Sequence, residues 1–593
     1  MRILFLSVLI FFITSLNAQQ ISIHEENLRH YDSLGISADQ YQLQNIPAEV
    51  PFEDRGGCTL NKVVYGWHPY WSNGLQTNYD WNMLSHLCYF SYELDAATGN
   101  ATTTHSFSTT QVVTDALANG VRVDLCVTLF SNHATFLGNA TSRQTLITNL
   151  INLIQARGAH GVNIDFEGLP LSQKTNFRNF MNDLSNQMHA AIPGSQVSTV
   201  LYAVDWNDVF DIVNMTPVDY FIIMGYDYYW TGSANAGPND PLFHFGTTYN
   251  YTLSKSLTYY IDKGVPENKL VLGLPYYGRE WPVSSSAMGA ATTGSGTARF
   301  YNYIKDNASG FYSSANRNHD DESVSTYYTF NNSGWRQCFI SEEYDLGERM
   351  DLINKRGIAG MGIWALGYDD GYTQFWNEIQ NHFTDCATTL CSDTLFDIGG
   401  GPLKNYYDNE DYTFTIAPPN AQNITVNFSS FNLEANYDYL YIHNGSSIAS
   451  PQITGSPFTG TNSPGTFTSS GSALTFRFTS DGATVSSGFN ALYSCSIDNI
   501  NPVTVISPDN VWKTADFSTT FTDTDAESGI DKKFWQVLDN NGTEWRANSQ
   551  HGFFNDNFDN AIHADWTNQT GVWAINSQRL NQSDEAQSNS NLY

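Results

Sequence analysis

The strongest signal in this chain is the heptapeptide Gly161-Val162-Asn163-Ile164-Asp165-Phe166-Glu167. Polar and acidic side chains alternate with apolar ones, as in a β-strand whose two faces meet different surroundings. Asn163, Asp165 and Glu167 share one face, and the apolar side chains between them pack on the other. Two carboxyl groups on one face of a buried strand cost desolvation and mutual repulsion. A strand with a packing role alone has no reason to carry that cost, so the pattern indicates a functional site.

Helical patterns flank this strand on both sides. Apolar residues recur at helical spacing over 142–158, where Gly158 supplies a stop, and again over 172–192. Helix, strand and helix in succession predict the βα alternation of a parallel sheet. With seven further runs of strand length, the predicted strands are 63–67, 84–92, 121–129, 162–167, 197–204, 220–227, 270–274 and 361–366.

Eight strands within residues 61–385 predict a (β/α)8 TIM barrel, in which the chemistry lies at the C-terminal ends of the strands. Glu167 ends the fourth strand and therefore lies at that end. The 86-residue gap between the seventh and eighth strands is too long for a single connection. We therefore expect an inserted subdomain after strand seven, at about 275–360, that forms a wall of the cleft.

Four motifs follow one another on the predicted strands. The fourth strand reads His160-Gly161-Val162-Asn163-Ile164-Asp165-Phe166-Glu167, and the sixth reads Met224-Gly225-Tyr226-Asp227. The seventh ends in Gly273-Leu274-Pro275-Tyr276-Tyr277-Gly278-Arg279, and the eighth carries Trp364. In this order they are similar to the signatures of glycoside hydrolase family 18, the chitinase family, and residues 61–385 resemble its catalytic barrel. The family's fourth-strand signature is Asp-Gly-x-Asp-x-Asp-x-Glu, so this chain departs from it at His160 and Asn163.

The resemblance implies retaining, substrate-assisted hydrolysis of glycosidic bonds. An acid must protonate the leaving oxygen, and in this family the 2-acetamido group of the substrate replaces the second carboxylate. Glu167 would be the general acid and later the general base, and Asp165 would orient the acetamido nitrogen. Tyr226 and Asp227 would hold the acetamido carbonyl, and Trp364 would form the floor under the sugar ring. No cofactor is expected for catalysis.

The protonation state of Glu167 should depend on the charged residues beside it. We expect the negative charges of Asp165 and Asp227 to raise the pKa of Glu167 and to keep it protonated near neutral pH. An amide at Asn163 cannot share a proton with Asp165, so we expect an altered acid limb of the pH profile.

Substrate contacts are expected from a wider set of side chains near the strand ends. Trp67 is expected to be packing, whereas the run Tyr228-Tyr229-Trp230 is equally compatible with packing and with sugar-stacking platforms. The predicted substrate-binding residues are Asn163, Met224, Trp364, Tyr70, Trp71, Tyr228, Tyr277 and Arg279.

Composition limits the partners. The chain of 593 residues has 27 Lys and Arg against 59 Asp and Glu, a net charge of −32. That balance argues against nucleic acid and anionic membrane surfaces. Residues 1–18 read as a secretory signal peptide, with Arg2 before an apolar run and Ala18 at the cleavage position. We therefore expect a secreted or cell-surface protein without a membrane span, in which residues 19–60 form a linker.

Export permits disulfides. Cys88 and Cys126 lie within predicted strands and are expected to be buried thiols. Cys391 and Cys495 bracket the domain after the barrel and could join across it. The sequence leaves Cys58, Cys338 and Cys386 unassigned.

Residues 391–495 lose helical periodicity, and short alternating runs between Gly, Ser, Asn and Pro clusters predict an all-β sandwich. This region resembles a CUB domain in the stretches 431–434, 437–440, 480–481 and 488–489. By that resemblance Glu434, Asp438 and Asp481 are candidate calcium ligands, and three oxygen ligands suit calcium. Three acids in solvated loops are the alternative. A CUB-like domain also implies contact with a cell surface or matrix.

Residues 500–593 read as further β structure, and we expect the sequence to be truncated at Tyr593. Three functions remain open from the sequence. The first is a chitinase acting on β-1,4-linked N-acetylglucosamine polymers. The second is an N-acetylglucosaminidase of the same family acting on peptidoglycan or N-glycans. The third is a non-catalytic carbohydrate-binding or adhesion protein, which the acid at Glu167 argues against.

Overall fold

The computed structural model describes residues 21–49, 57–246, 251–387, 390–399 and 405–497, with six short strands between residues 503 and 582. The predicted signal peptide, residues 1–18, lies outside the described residues. The α-helices of the described part are Ile23–Ser33 (α1), Ala38–Gln44 (α2), Gln111–Ala118, His133–Leu137, Ala140–Arg157, Lys174–Ala191, Leu253–Asp262, Tyr301–Asp306, Glu343–Lys355 and Gln374–Phe383.

Eight parallel strands close into a barrel, which confirms the predicted fold. They are Val63–Pro69 (β1), His86–Leu94 (β2), Arg122–Leu129 (β3), Gly161–Phe166 (β4), Gln196–Tyr202 (β5), Tyr220–Met224 (β6), Leu270–Pro275 (β7) and Gly360–Trp364 (β8). Each strand pairs with its neighbours in chain order, and β1 pairs with both β2 and β8, which closes the ring. A short strand, Ala101–Thr103, pairs with the end of β2.

The two faces of β4 differ as the alternation predicts. Phe166 points outward and contacts the rings of Phe136 and Phe180 on the surrounding helices. Asn163 points into the barrel, where its side chain meets Trp67 of β1 and Ser198 of β5. Side chains such as Asn163 therefore fill the interior of the barrel. The acids of β4 lie at the C-terminal end of the barrel strands, which is called the upper end below.

The insertion after β7 is an antiparallel sheet of five strands. They are Tyr277–Pro282, Thr297–Phe300, Arg317–Asp320, Ser325–Asn331 and Trp335–Phe339, and the first of them continues almost directly from β7. This continuity places Tyr277 and Arg279 beside the end of β6. The insertion therefore supplies side chains to the cleft as well as a wall.

The stretch predicted as a linker, residues 19–60, contains two helices, so that prediction needs correction. Both helices begin at a serine N-cap: Ser22 accepts from the Glu25 amide, and Ser37 forms a reciprocal capping box with Gln40. Ile23, Leu28, Ala38 and Tyr41 are buried. We refer to residues 21–49 as the N-terminal segment.

After the barrel come two antiparallel sheets that form a sandwich. One contains Ser392–Phe396, Ala421–Asn432, Thr466–Thr468 and Gly488–Ile497, and the other contains Asp411–Ile416, Tyr439–His443 and Leu474–Thr479. Their inner faces bury a cluster that includes Ile424, Leu440 and Phe476. Arg356 of the barrel forms a buried ion pair with Glu410 of the sandwich, at 2.6 Å.

Two disulfides fix the ends of these units. Cys58 pairs with Cys386 and joins the start of the barrel to its end, a pairing that the sequence left open. Cys391 pairs with Cys495 across the sandwich, as the spacing allowed. Cys88, Cys126 and Cys338 are buried free thiols.

Residues 497–593 form a separate unit. Its described parts are three two-stranded pairings: Val503–Ser507 with Thr520–Thr524, Leu538–Asn540 with Trp545–Ala547, and Trp573–Ile575 with Leu580–Gln582. In the part of the chain that the structure describes, no helix has the length and apolarity needed to cross a bilayer.

Candidate active site

Four predicted catalytic side chains meet at the upper end of the barrel. Asp165 and Glu167 come from the end of β4, and Tyr226 and Asp227 follow β6. All four are buried, and Asp165 is completely so. Asp227 has φ 58°, a left-handed conformation that an aspartate adopts at some cost. The amide of Asp227 donates to Asn239 Oδ1 at 3.0 Å, which holds this turn in place.

The pKa values of the two acids at the end of β4 are raised. Burial is the first cause that raises the pKa of Glu167 well above its usual value, and the charge of Asp165 is the second. Burial also raises the pKa of Asp165 to about 8, against a hydrogen bond with Glu167 that lowers it. A raised pKa favours the protonated form of Glu167, which is the form that a general acid requires.

Asp227 is held by the insertion. Its Oδ1 accepts from the Tyr277 hydroxyl at 2.9 Å and from Nε and Nη2 of Arg279 at 3.0 and 2.8 Å. Arg279 is fully buried. Tyr277 and Arg279, predicted as substrate contacts, therefore act on Asp227 and fix its carboxylate beside Tyr226.

Asn163 does not reach the cleft, which corrects its prediction as a substrate contact. It is fully buried, its Oδ1 accepts from Trp67 Nε1 at 3.2 Å, and its Nδ2 donates to Ser198 Oγ at 2.9 Å. A buried amide needs both partners, and it finds them inside the barrel. Met224, the last residue of β6, is buried at 6% exposure.

The predicted aromatic contacts divide into two groups. Trp364 ends β8 at the bottom of the cleft, and Tyr70 and Trp71 follow β1 at its rim. Tyr228 is different, because its hydroxyl bonds to Thr252 and Ser256 at the start of the helix Leu253–Asp262. It packs against that helix, which corrects the prediction that it binds substrate, since a buried phenol must satisfy its hydroxyl.

The N-terminal segment fills this cleft, a feature that the sequence pattern did not reveal. Ser22 Oγ donates to Glu167 Oε1 at 2.7 Å, and the Ile23 amide donates to Asp227 Oδ2 at 3.0 Å. His24 Nδ1 lies 2.8 Å from Asp165 Oδ2, and its Nε2 lies 2.7 Å from the Tyr226 hydroxyl. The serine N-caps could have indicated that α1 and α2 begin at these positions. No local sequence pattern indicates that Ser22, Ile23 and His24 contact residues more than 140 positions away.

A second group of acids lies in the sandwich. One carboxylate oxygen from each of Glu434, Asp438 and Asp481 lies within 4.8 Å of the others. Asp438 accepts from the Tyr406 hydroxyl and from the Asp481 amide, which orients its carboxylate. Glu434 Oε2 is buried and has no hydrogen-bond partner. An unsatisfied carboxylate oxygen beside two further acids fits a hard cation such as calcium.

The model of the family Glycosyl hydrolases family 18 matches residues 63–369, more than half of the chain, and the CUB domain model matches residues 395–493. A Caenorhabditis elegans protein named "Probable endochitinase" is 27% identical over 257 residues, 39% of this chain and 40% of that protein. Chitotriosidase-1 of Mus musculus is 25% identical over 266 residues, 41% of this chain and 56% of that protein. The chain thus spans about half the length of these curated relatives.

The chain also aligns with solved structures. The crystal structure of a family GH18 chitinase from Cycas revoluta in complex with allosamidin aligns with 54% of this chain and 99% of its own, at 19% identity and a TM-score of 0.49.

Proposed function

Because this chain belongs to the glycosyl hydrolases of family 18, we propose that it hydrolyses β-1,4-linked N-acetylglucosamine polymers, with chitin as substrate. One observation carries the proposal. Asp165 and Glu167 project from one face of β4 into the cleft, with raised pKa values, opposite the Tyr226 hydroxyl. This is the arrangement that a substrate-assisted glycosidase requires.

Protonation of the leaving group is the first step. Glu167 donates its proton to the glycosidic oxygen as the C1–O bond breaks. The carbonyl oxygen of the substrate's 2-acetamido group attacks C1 from the other face of the ring. The resulting oxazolinium ion keeps the charge on the substrate, and no covalent bond to the protein forms.

Asp165 and Tyr226 act on the acetamido group. Asp165 accepts a hydrogen bond from the acetamido N–H, and its carboxylate stabilises the positive charge that develops there. The Tyr226 hydroxyl donates to the acetamido oxygen and aims it at C1. Asp227, fixed by Tyr277 and Arg279, keeps Tyr226 and its surroundings in place.

Water completes the reaction. The Glu167 carboxylate takes a proton from water, which attacks C1 on the face that the leaving group vacated. Two inversions at C1 give net retention, so the first product is the β-anomer.

The experiment that tests this proposal compares substrates and variants. The full chain is incubated with chitin oligosaccharides and with peptidoglycan, alongside Glu167→Gln and the control Glu267→Gln, an exposed residue before β7. Loss of a general acid lowers the rate by about 10²- to 10⁴-fold. Equal and measurable turnover by Glu167→Gln and the parent chain would refute the assignment. Turnover of peptidoglycan but not of chitin oligosaccharides would instead favour the alternative function, an N-acetylglucosaminidase that acts on peptidoglycan.

We also propose that the protein is exported. The signal sequence at residues 1–18 supports this, and two disulfides suit an oxidising compartment. N-terminal sequencing of the exported protein should begin at Gln19.

For the CUB-like sandwich we propose calcium binding by Glu434, Asp438 and Asp481. The unsatisfied Glu434 Oε2 supports the proposal, because calcium takes several carboxylate oxygens. Such a site would order the loops that follow 432 and 479 and present them for contact with a cell surface or matrix.

A further inference from the structure

Every polar group assigned to catalysis is already engaged by the N-terminal segment. Ser22 bonds to Glu167, the Ile23 amide bonds to Asp227, and His24 contacts both Asp165 and Tyr226. Three consecutive residues at the start of α1 thus form hydrogen bonds with all four side chains that are assigned to catalysis. A sugar ring could not reach them while the segment is in place.

His24 occupies the position expected for the reacting sugar. Its ring stacks on Trp364 with centroids 3.7 Å apart and planes 27° apart. Both His24 and Trp364 are completely buried. Burial lowers the pKa of His24 to about 4, so the ring is neutral near pH 7 and offers one donor and one acceptor nitrogen. Asp165 and Tyr226 meet these two nitrogens, as they would meet the N–H and carbonyl of an acetamido group.

The rest of the segment is anchored along the cleft. Tyr31 of α1 stacks on Trp71 with centroids 4.5 Å apart and planes 9° apart. The Tyr70 hydroxyl donates to Asp32 at 2.7 Å. Two of the aromatic residues predicted to bind substrate are therefore covered by this segment.

Two polar contacts extend the anchorage. Arg279, which also holds Asp227, donates to Glu26 at 3.1 Å. The Tyr368 hydroxyl donates to Asn27 at 2.8 Å, and both residues are buried. The contacts span α1 from its first turn to its last, which is the geometry of a specific ligand.

We propose that residues 21–49 are an intramolecular inhibitor that occupies the sugar-binding cleft and is released by proteolysis before Cys58. The inference rests on the proposed glycosidase function. The segment competes with a polymer for the same side chains, so the two exclude each other.

The covalent layout suits this mode of release. The Cys58–Cys386 disulfide fixes the start of the barrel, so a cut before Cys58 leaves the barrel closed. Leu43 and Ile46 are 84% and 87% exposed, so the end of the segment is open to a protease. Before the cut, the tether holds the segment at a millimolar effective concentration; after the cut, the segment can diffuse away.

The test inserts a specific protease site between Glu49 and Val50 of the full chain and measures hydrolysis of chitin oligosaccharides before and after cleavage. A competing tethered ligand raises the apparent KM and leaves kcat unchanged. We expect the cut to lower the apparent KM by about 100-fold, given the effective concentration above. A synthetic peptide of residues 21–49 should restore the inhibition competitively.

A matched pair of variants localises the effect. In the uncut chain, His24→Ala should lower the apparent KM by about tenfold, since it removes two buried hydrogen bonds and a stacked ring. His30→Ala, on the exposed side of the same helix, should leave the apparent KM unchanged. The corresponding peptide with His24→Ala should fail to inhibit the cut protein.

Binding of the labelled peptide to the cut protein, measured by fluorescence anisotropy, separates this inference from the glycosidase function. Tight peptide binding without hydrolysis of any glycan would support the segment's role and refute the function. Equal apparent KM for glycan hydrolysis before and after the cut, with no peptide binding, would overturn the inference and leave the function standing.

Discussion

The molecule contains two groups of three acids that differ in what surrounds them. Asp165, Glu167 and Asp227 of the barrel are buried and form hydrogen bonds with the N-terminal segment. In the sandwich, Asp438 is buried, Glu434 and Asp481 are open to solvent at least in part, and Glu434 Oε2 has no hydrogen-bond partner. Burial favours the protonated carboxyl, whereas clustered carboxylates near solvent favour a cation. The comparison teaches that the same residue types suit proton transfer in one setting and cation binding in the other.

Replacing one acid by its amide in each group should give the largest difference in kcat between two variants. Asp165→Asn removes the charge that stabilises the developing oxazolinium, and we expect kcat to fall by about 10²- to 10³-fold. Asp481→Asn makes the same chemical change in the sandwich and should leave kcat unchanged. Steady-state kinetics on chitin oligosaccharides measure both. A similar kcat for the two variants would contradict the roles assigned to the two groups.

The buried ion pair of Asp227 and Arg279 should contribute more to the free energy of unfolding than an exposed ion pair does. Asp227→Asn leaves the fully buried Arg279 without its nearest carboxylate, and we expect the free energy of unfolding to fall by about 3 kcal/mol. Arg178 and Asp211 form a pair of the same 2.8 Å length that is partly exposed. Asp211→Asn should cost about 0.5 kcal/mol or less. Denaturant melts of both variants check this, and equal losses would contradict the burial argument.

The pH dependence should report the coupling between the two β4 acids. The negative charge of Asp165 raises the pKa of Glu167, so its removal should lower that pKa. Activity requires protonated Glu167 and is lost as the pH rises through its pKa. In Asp165→Asn the basic limb of the residual kcat/KM should therefore move down by about one pH unit. A basic limb that stays in place or moves up would show that another group controls it.

Calcium should stabilise the sandwich by a smaller amount. At a calcium concentration fivefold above the dissociation constant, one site adds about 1 kcal/mol. Chelation should therefore lower the melting temperature of the parent chain by a few degrees and leave that of Glu434→Gln unchanged. The control Asp393→Asn, an exposed acid elsewhere in the sandwich, should keep the calcium response. No response in the parent chain would remove the calcium proposal.

The barrel could be predicted from the sequence because its signals are local. Alternation over 162–167 fixed the two faces of β4, and the helical spacing over 142–158 gave a helix that the structure places at Ala140–Arg157, with Gly158 after it. The disulfide between Cys391 and Cys495 was likewise compatible with the spacing.

The occupation of the cleft could not be predicted because it depends on contacts distant in the chain. Ser22 and Glu167 are 145 residues apart, and Ile23 and Asp227 are 204 apart. The direction of Tyr228 was also undetermined, because a tyrosine after a strand end can turn to the cleft or to a helix. Asn163 differs again: its place on the inner face was predictable, but its depth in the barrel was not.

The measurement that tests the central claim most directly is the anomeric configuration of the first product. The tetramer of N-acetylglucosamine is hydrolysed by the protein freed of its N-terminal segment, and the new reducing ends are followed by ¹H NMR before mutarotation. Participation of the acetamido group followed by attack of water activated by Glu167 predicts β-anomer at the earliest times. Early formation of the α-anomer would contradict the account.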